Sequence, residues 1–192
     1  MKLKFFFCFA LVLGGAWFGC STAGPHSFSG NHPSGPVTDG LQLELSVSGT
    51  DHRSGPEFEV AIRNVGEKDC CLNLGMMLAN GKVMMPDKIH LFLADCNGKR
   101  QELILAVPAI AGRVDDYVVP LRAGSAYTLA VRLDQFVLPT TGDRPVCAPG
   151  RCEVWAQFSG SSGTNGNSDM AGVNLLNFWK GNLRSNPVLI RE

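Results

Sequence analysis

The 192 residues predict an all-β protein, an antiparallel sandwich of about seven to nine strands, on three observations. In FEVAIRNV, Phe58, Val60 and Ile62 alternate with Glu59 and Arg63. That period of two puts apolar side chains on one face of an extended chain and polar ones on the other. Segments of the same kind recur downstream. Between them stand Gly, Asn and Pro, which reverse the chain because Gly and Asn tolerate left-handed backbone and Pro presets a turn.

At the N-terminus, Lys2 and Lys4 precede an uncharged apolar run over residues 5–18, short for a membrane span and shaped like an export signal. Two processing routes are open. Cleavage after Ala23, where Ser21 and Ala23 are small, gives a signal peptide over 1–23; lipidation of Cys20 after Gly19 gives a lipoprotein signal over 1–19. Trp17 and Phe18 are bulkier than the lipid motif prefers. Either route predicts a secreted or extracytoplasmic protein whose membrane contact is limited to a lipid on Cys20. Residues 24–40, rich in Gly, Ser and Pro, read as a flexible linker, and residues 41–192 as one sandwich domain.

The first strand alternates Leu41, Leu43, Leu45 and Val47 with Gln42, Glu44, Ser46 and Ser48. Turn residues 49–56 predict a hairpin with the segment at 58–65. Next come Leu72, Leu74 and the methionines at 76, 77, 84 and 85, divided by the turn pair Asn80-Gly81; the methionines are expected to fill an irregular edge of the core. Ile89, Leu91 and Leu93 alternate with His90 and Phe92, and Cys96-Asn97-Gly98-Lys99 predicts a type I′ hairpin into residues 101–107. Asp115 and Asp116 end a loop and read as a solvated corner. Ala123-Gly124 leads into Tyr127, Leu129, Val131 and Leu133; Pro149-Gly150 leads into Cys152, Val154, Ala156 and Phe158. A Gly/Ser-rich loop follows at 159–169. Leu175, Phe178 and Trp179 suit a helical turn or a strand, and the last strand lies within 186–192, at an edge or at its own start because Pro187 cannot donate to a ladder.

The two Gly-led segments resemble immunoglobulin-like and fibronectin-type sandwich modules, whose later strands carry Gly-x-x-Tyr-x-Val-x-Ala. Tyr127 matches the aromatic position, and Cys152 replaces it in the second copy. The chain is similar in particular to the bacterial intracellular proteinase-inhibitor type of Ig-like domain, over residues 41–192. The resemblance implies the fold and no inherited function; the antibody Cys...Trp...Cys spacing is absent. Leu138-Pro139-Thr140-Thr141-Gly142 spells a sortase signal, yet no apolar span and basic tail follow it. The same residues resemble one binding loop of chagasin-type cysteine-protease inhibitors, which implies inhibition through Pro139, Thr140, Thr141 and the nearby Arg144. Arg144-Pro145 comes only two residues after Gly142 and is followed by Val146, so the family's separate Arg-Pro-aromatic loop is not reproduced.

Of seven cysteines, Cys8 and Cys20 belong to the signal or the lipid route, leaving Cys70, Cys71, Cys96, Cys147 and Cys152. Export predicts disulfides. Cys147 and Cys152 flank Ala148-Pro149-Gly150 and are expected to pair; Cys96 is placed to reach Cys70 or Cys71 across neighbouring strands. His26, His32, His52 and His90 have no ligand spacing to a cysteine pair, so neither metal nor cofactor is expected.

Removing Lys2 and Lys4 from 17 basic residues leaves 15 against 17 acidic, a formal charge of about −2 that does not draw nucleic acid. The sequence contains no Gly-x-Ser-x-Gly elbow, no His-Glu-x-x-His and no phosphate-cradling loop. The expectation is a non-catalytic exported protein that acts by surface contact with a protein or cell-surface partner. The contact residues are Trp155, Phe92 and His90, with the loops at 139–144 and 159–169. Trp155 and Phe92 are aromatic anchors on outward positions, and Trp155 is either open there or covered by the 159–169 loop. The alternatives are a protease inhibitor using its loops, and a carbohydrate-binding module or hydrolase whose site is assembled from distant residues.

Overall fold

The structure is a computed structural model that describes residues 34–51, 55–145, 151–163 and 176–191. Among these residues there are twelve strands, one 3₁₀ turn and no α-helix. The strands are β1 (Leu41–Asp51), β2 (Gly55–Asn64), β3 (Cys70–Leu78), β4 (Met84–Met85), β5 (Ile89–Ala94), β6 (Arg100–Leu105), β7 (Val114–Leu121), β8 (Ala126–Arg132), β9 (Phe136–Val137), β10 (Arg151–Gly160), β11 (Gly181–Arg184) and β12 (Val188–Arg191). They form three antiparallel sheets, ordered β1-β2-β8, β4-β3-β7 and β11-β10-β5-β6-β9, with β12 also paired to β10.

The alternation read from the sequence is the alternation that packs. Leu45 lies opposite Val60 and Leu43 opposite Ile62 in the β1–β2 hairpin. These residues and Phe58 are buried, as are Leu91, Val154, Ala156 and Phe158 on the inner side of the larger sheet. β1 lies over β10, β11 and β12, so the two inner faces meet in one apolar cluster. The third sheet adds Leu72, Leu74, Val119 and Leu121 to it. The sandwich-like, all-β architecture therefore stands.

Several details depart from the sequence reading. The strand count exceeds nine because β4 and β9 are two-residue pieces and the C-terminal segment makes two strands. Gly181–Arg184, just before the expected last strand, forms a strand of its own and pairs with residues 157–160 of β10. Asn186 and Pro187 interrupt the edge before β12 resumes. At the break Ser185 is buried and its hydroxyl stands in for the missing ladder carbonyl: Ala156 N–H donates to Ser185 Oγ at 2.9 Å, and Ser185 N–H donates to Ala156 O at 2.9 Å. The hairpin at Cys96 is not type I′, which needs two positive φ angles, because only Gly98 has one (77°). Asp95 Oδ1 accepts the amides of Asn97 and Lys99, both at 2.9 Å, and this side-chain turn sets the loop instead. Phe178 makes an isolated parallel bridge to Cys71. Residues 34–40, at the end of the expected linker, are held on the sandwich by Gly35 N–H to Leu43 O and by Asn186 Nδ2 to Ser34 O. The expected export signal, Cys20, Cys147 and residues 164–169 of the Gly/Ser loop lie outside the described residues.

Trp179 fixes β11 to the sheet. Its ring stacks on Phe158 with centroids 5.8 Å apart and fills the space left by Gly160 and Gly181, which face each other in the β10–β11 ladder. A Cβ at Gly160 would overlap that ring. Gly160→Ala is therefore expected to cost about 1–3 kcal/mol through overpacking. Phe58→Ala, which opens a cavity at a fully buried position, is expected to cost about 3–5 kcal/mol. Urea denaturation followed by circular dichroism measures both.

Candidate functional site

The outer face of the large sheet is polar at most positions and aromatic at its centre. In register across it, Trp155 of β10 opposes Phe92 of β5, and Phe92 opposes Glu102 of β6. The Trp155 and Phe92 rings stack with centroids 5.5 Å apart and planes 7° from parallel. The guanidinium of Arg184 stands over the indole at 4.6 Å from its centroid, and that of Arg100 at 5.8 Å. Such cation–π contacts contribute about 0.5–2 kcal/mol each. Together these groups reduce Trp155 to 5% exposure although its strand position points away from the core. The tryptophan is thus not an open anchor; it is a platform that holds two cations.

Beside it lies a cleft of 560 Å³, walled by Arg100, Arg151, Glu153, Arg184, Pro187 and Leu189 as well as Trp155. Leu189 is 44% exposed, an apolar spot on a charged rim. His90 stands on the same face, in register with Gln157. Its Nδ1 lies 2.7 Å from Glu102 Oε1. No Ser, Thr or Cys hydrogen-bonds to His90 among the described residues, so the pair has an orienting carboxylate and no nucleophile.

The structure therefore joins Trp155 to Phe92 directly and puts His90 on the same face. It leaves Pro139, Thr140, Thr141 and Arg144 elsewhere. These four are exposed in a loop after β9, at the sheet edge, separated from β10 by β5 and β6. The loop closes on itself through Leu138 N–H to Asp143 O and Gly142 N–H to Leu138 O, both 2.8 Å. The arginines of the cleft, and Leu189, were missed by the sequence reading. Arg184 sits on β11, a strand too short to show a period in the sequence, and the alternation of 188–191 gives no hint of what Leu189 faces.

The cysteines correct the disulfide expectation. Cys70, Cys71, Cys96 and Cys152 are all free thiols. Cys152 points inward opposite Ile190 and is 2% exposed, so it serves as a small apolar core residue; its expected partner, Cys147, lies outside the described residues. Cys96 sits in the β5–β6 turn, while Cys70 and Cys71 begin β3, which pairs with β4 and β7 and not with β5 or β6. Cys70 borders two smaller clefts, of 460 and 230 Å³. Burial pushes its thiol up, and Cys71 and Asp69 push it further; burial also raises Cys71. Raised thiols stay protonated and are poor nucleophiles, so these clefts carry no activated cysteine. Among the described residues, no three His, Cys, Asp or Glu side chains gather to hold a metal, and no helix is long and apolar enough to cross a membrane.

Compared with known proteins, the chain matches no family model and no curated protein. A solved structure described as the X-ray structure of Northeast Structural Genomics Consortium target SoR45 is similar at 14% identity, covering 81% of this chain and 89% of that one, with a TM-score of 0.37. A likeness at that level supports no conclusion about family or function.

Two outcomes follow from the titrating groups. Iodoacetamide followed by mass spectrometry should label Cys96 first, Cys70 and Cys71 more slowly, and Cys152 only on unfolding. Tyr117 is raised by burial and by its hydrogen bond and proximity to Tyr127. Acids raised in the fold contribute stability below their ordinary values and lose it above them. Denaturation midpoints should therefore fall as pH rises past the thiol value of 9.0 and the phenol value of 10.0. Tyr117→Phe should flatten the upper part of that slope.

Proposed function

We propose that this is an exported, non-catalytic, immunoglobulin-like β-sandwich that binds a partner through the outer face of its six-stranded sheet. The export signal over residues 1–23, or the lipid on Cys20, puts it outside the cytoplasm. The observation that carries the reading is the cleft beside Trp155: exposed guanidiniums, an exposed leucine and stacked aromatics at the centre of a strand face. Rigid aromatics with arginines are the composition of contact hot spots. The immunoglobulin-like assignment is supported by paired antiparallel sheets around one core and by the inward alternation of β10.

The exposed, self-closed loop at 138–143 supports a second reading, protease inhibition, because a loop held in one shape inserts into a protease cleft at low entropic cost. Titration against papain-like proteases tests it; no loss of protease activity at micromolar protein removes it.

For the main reading, a photo-crosslinking amino acid replaces Leu189 on the cleft, and in a control replaces Val65, which is 46% exposed just after β2. The expected result is a discrete crosslinked product with cell-surface or extracellular material from position 189 and not from 65. Equal, diffuse labelling at both positions would sink the proposal.

A further inference from the structure

We infer that the cleft beside Trp155 takes an acidic, extended peptide segment, with carboxylates on Arg184, Arg100 and Arg151 and an apolar side chain on Leu189. This rests on the proposed role of that sheet face as a contact surface.

Some arginines of the protein are paired and others are not. Arg63 holds Glu44 at 3.4 Å, Arg113 holds Asp115 at 2.9 Å and Arg132 holds Asp134 at 3.1 Å. Arg100, Arg151 and Arg184 line one cleft and, among the described residues, form no ion pair. Two carboxylates share the cleft, Asp95 and Glu153. Asp95 is already engaged, since the Oδ1 that caps the β5–β6 turn accepts two backbone amides. Glu102, also on this face, is paired with His90. The cleft is left with three guanidiniums against one unengaged carboxylate.

Stacking gives those charges a direction. A guanidinium lying over an indole uses its flat face for the ring and keeps its N–H edges for other partners, and those edges match a carboxylate in a two-pronged fashion. The Arg184 guanidinium lies 4.6 Å from the centroid of the Trp155 ring and the residue is exposed, so the stacked cation is accessible to carboxylates.

The apolar rim distinguishes among anions. Pro187 and the exposed Leu189 line the same cleft and offer nothing to a ligand that is polar throughout, such as a sulfated glycan. In register, Arg184 opposes Gln157 and Leu189 opposes Glu153, four residues apart along β10. That separation is about 13 Å at the usual rise per residue, the reach of about four residues of extended chain. A peptide mixing acidic and apolar side chains supplies both contacts over that length.

The test uses fluorescence anisotropy of a labelled seven-residue peptide alternating Glu and Leu, with a Gln-for-Glu peptide as its neutral counterpart, on the purified protein. Saturable binding of the acidic peptide is expected, weakening with salt. Arg184→Gln or Arg100→Gln should weaken it by about tenfold, near the value of one charge-assisted contact. Arg184→Lys should weaken it less, by about threefold, because charge survives and the flat fork does not. Arg122→Gln, an exposed arginine outside this cleft, should leave it unchanged. Equal binding of the neutral peptide, or indifference to the cleft arginines, would overturn the inference. A heparin fragment that binds more tightly than the peptide and ignores Leu189→Ser would overturn the peptide as occupant. If the acidic peptide fails to bind while crosslinking from position 189 still yields its product, the contact surface stands and its acidic occupant does not. If both fail, both readings fall.

Discussion

β10 is the constraint on which the rest of the structure depends. It pairs with β5 along one edge and with β11 and β12 in tandem along the other, so all backbone placement in the large sheet refers to it. Its inward side chains, Cys152, Val154, Ala156 and Phe158, pack against the facing sheet. An outward one, Trp155, organises the polar side. Alternation forces these two tasks onto neighbouring residues, and a one-residue slip of register would exchange them. That coupling explains why a strand rich in core residues also builds the surface cleft.

The polar groups inside the fold are placed with similar economy. Asn64 is buried at the end of β2, where its Nδ2 donates to Lys68 O at 2.9 Å and Leu121 O at 3.2 Å, and its Oδ1 accepts from Gly66 N–H at 3.0 Å. One side chain thus ties the first sheet to the end of β7. Asn73, also buried, donates to Ser162 O at 3.0 Å and accepts from Gly75 N–H at 3.1 Å, linking β3 to the segment after β10. Buried amides satisfied on both ends fix geometry, because any alternative packing would strand them without partners. No disulfide is needed among the described cysteines: three sheets share one core, and connections between them run through these amides and through the hydrogen bond between the Tyr117 and Tyr127 hydroxyls.

The sequence made the architecture legible where chemistry and period agree. Phe58, Val60 and Ile62 announce their face because burial selects apolar side chains at every second position, and Asn80-Gly81 announces its turn, with φ of 69° at Gly81. Tandem strands such as β11 were not legible. Gly181–Arg184 carries a single inward leucine, too short a signal for periodicity, and its pairing is decided by Trp179 and Ser185 from outside the strand. The cleft was legible in part. Trp155 and Phe92 lie on outward positions and are brought together by register, which a single sequence does not encode. Their cationic covering comes from β6 and β11, strands separated from β10 by tens of residues. The expected pairing of Cys96 with Cys70 or Cys71 does not form, because an expected compartment argues for bridges in general, whereas geometry decides each pair.

The glycine notch that seats Trp179 also bears on what happens across the strand. β11 is four residues long, and its hold on the sheet comes from that wedged ring at one end and from Ser185 at the other. Arg184 is carried between these two fastenings. The cation over Trp155 is thus splinted by packing on the far side of the sheet, and any drift in the wedge would be transmitted to the rim of the cleft as a displaced charge.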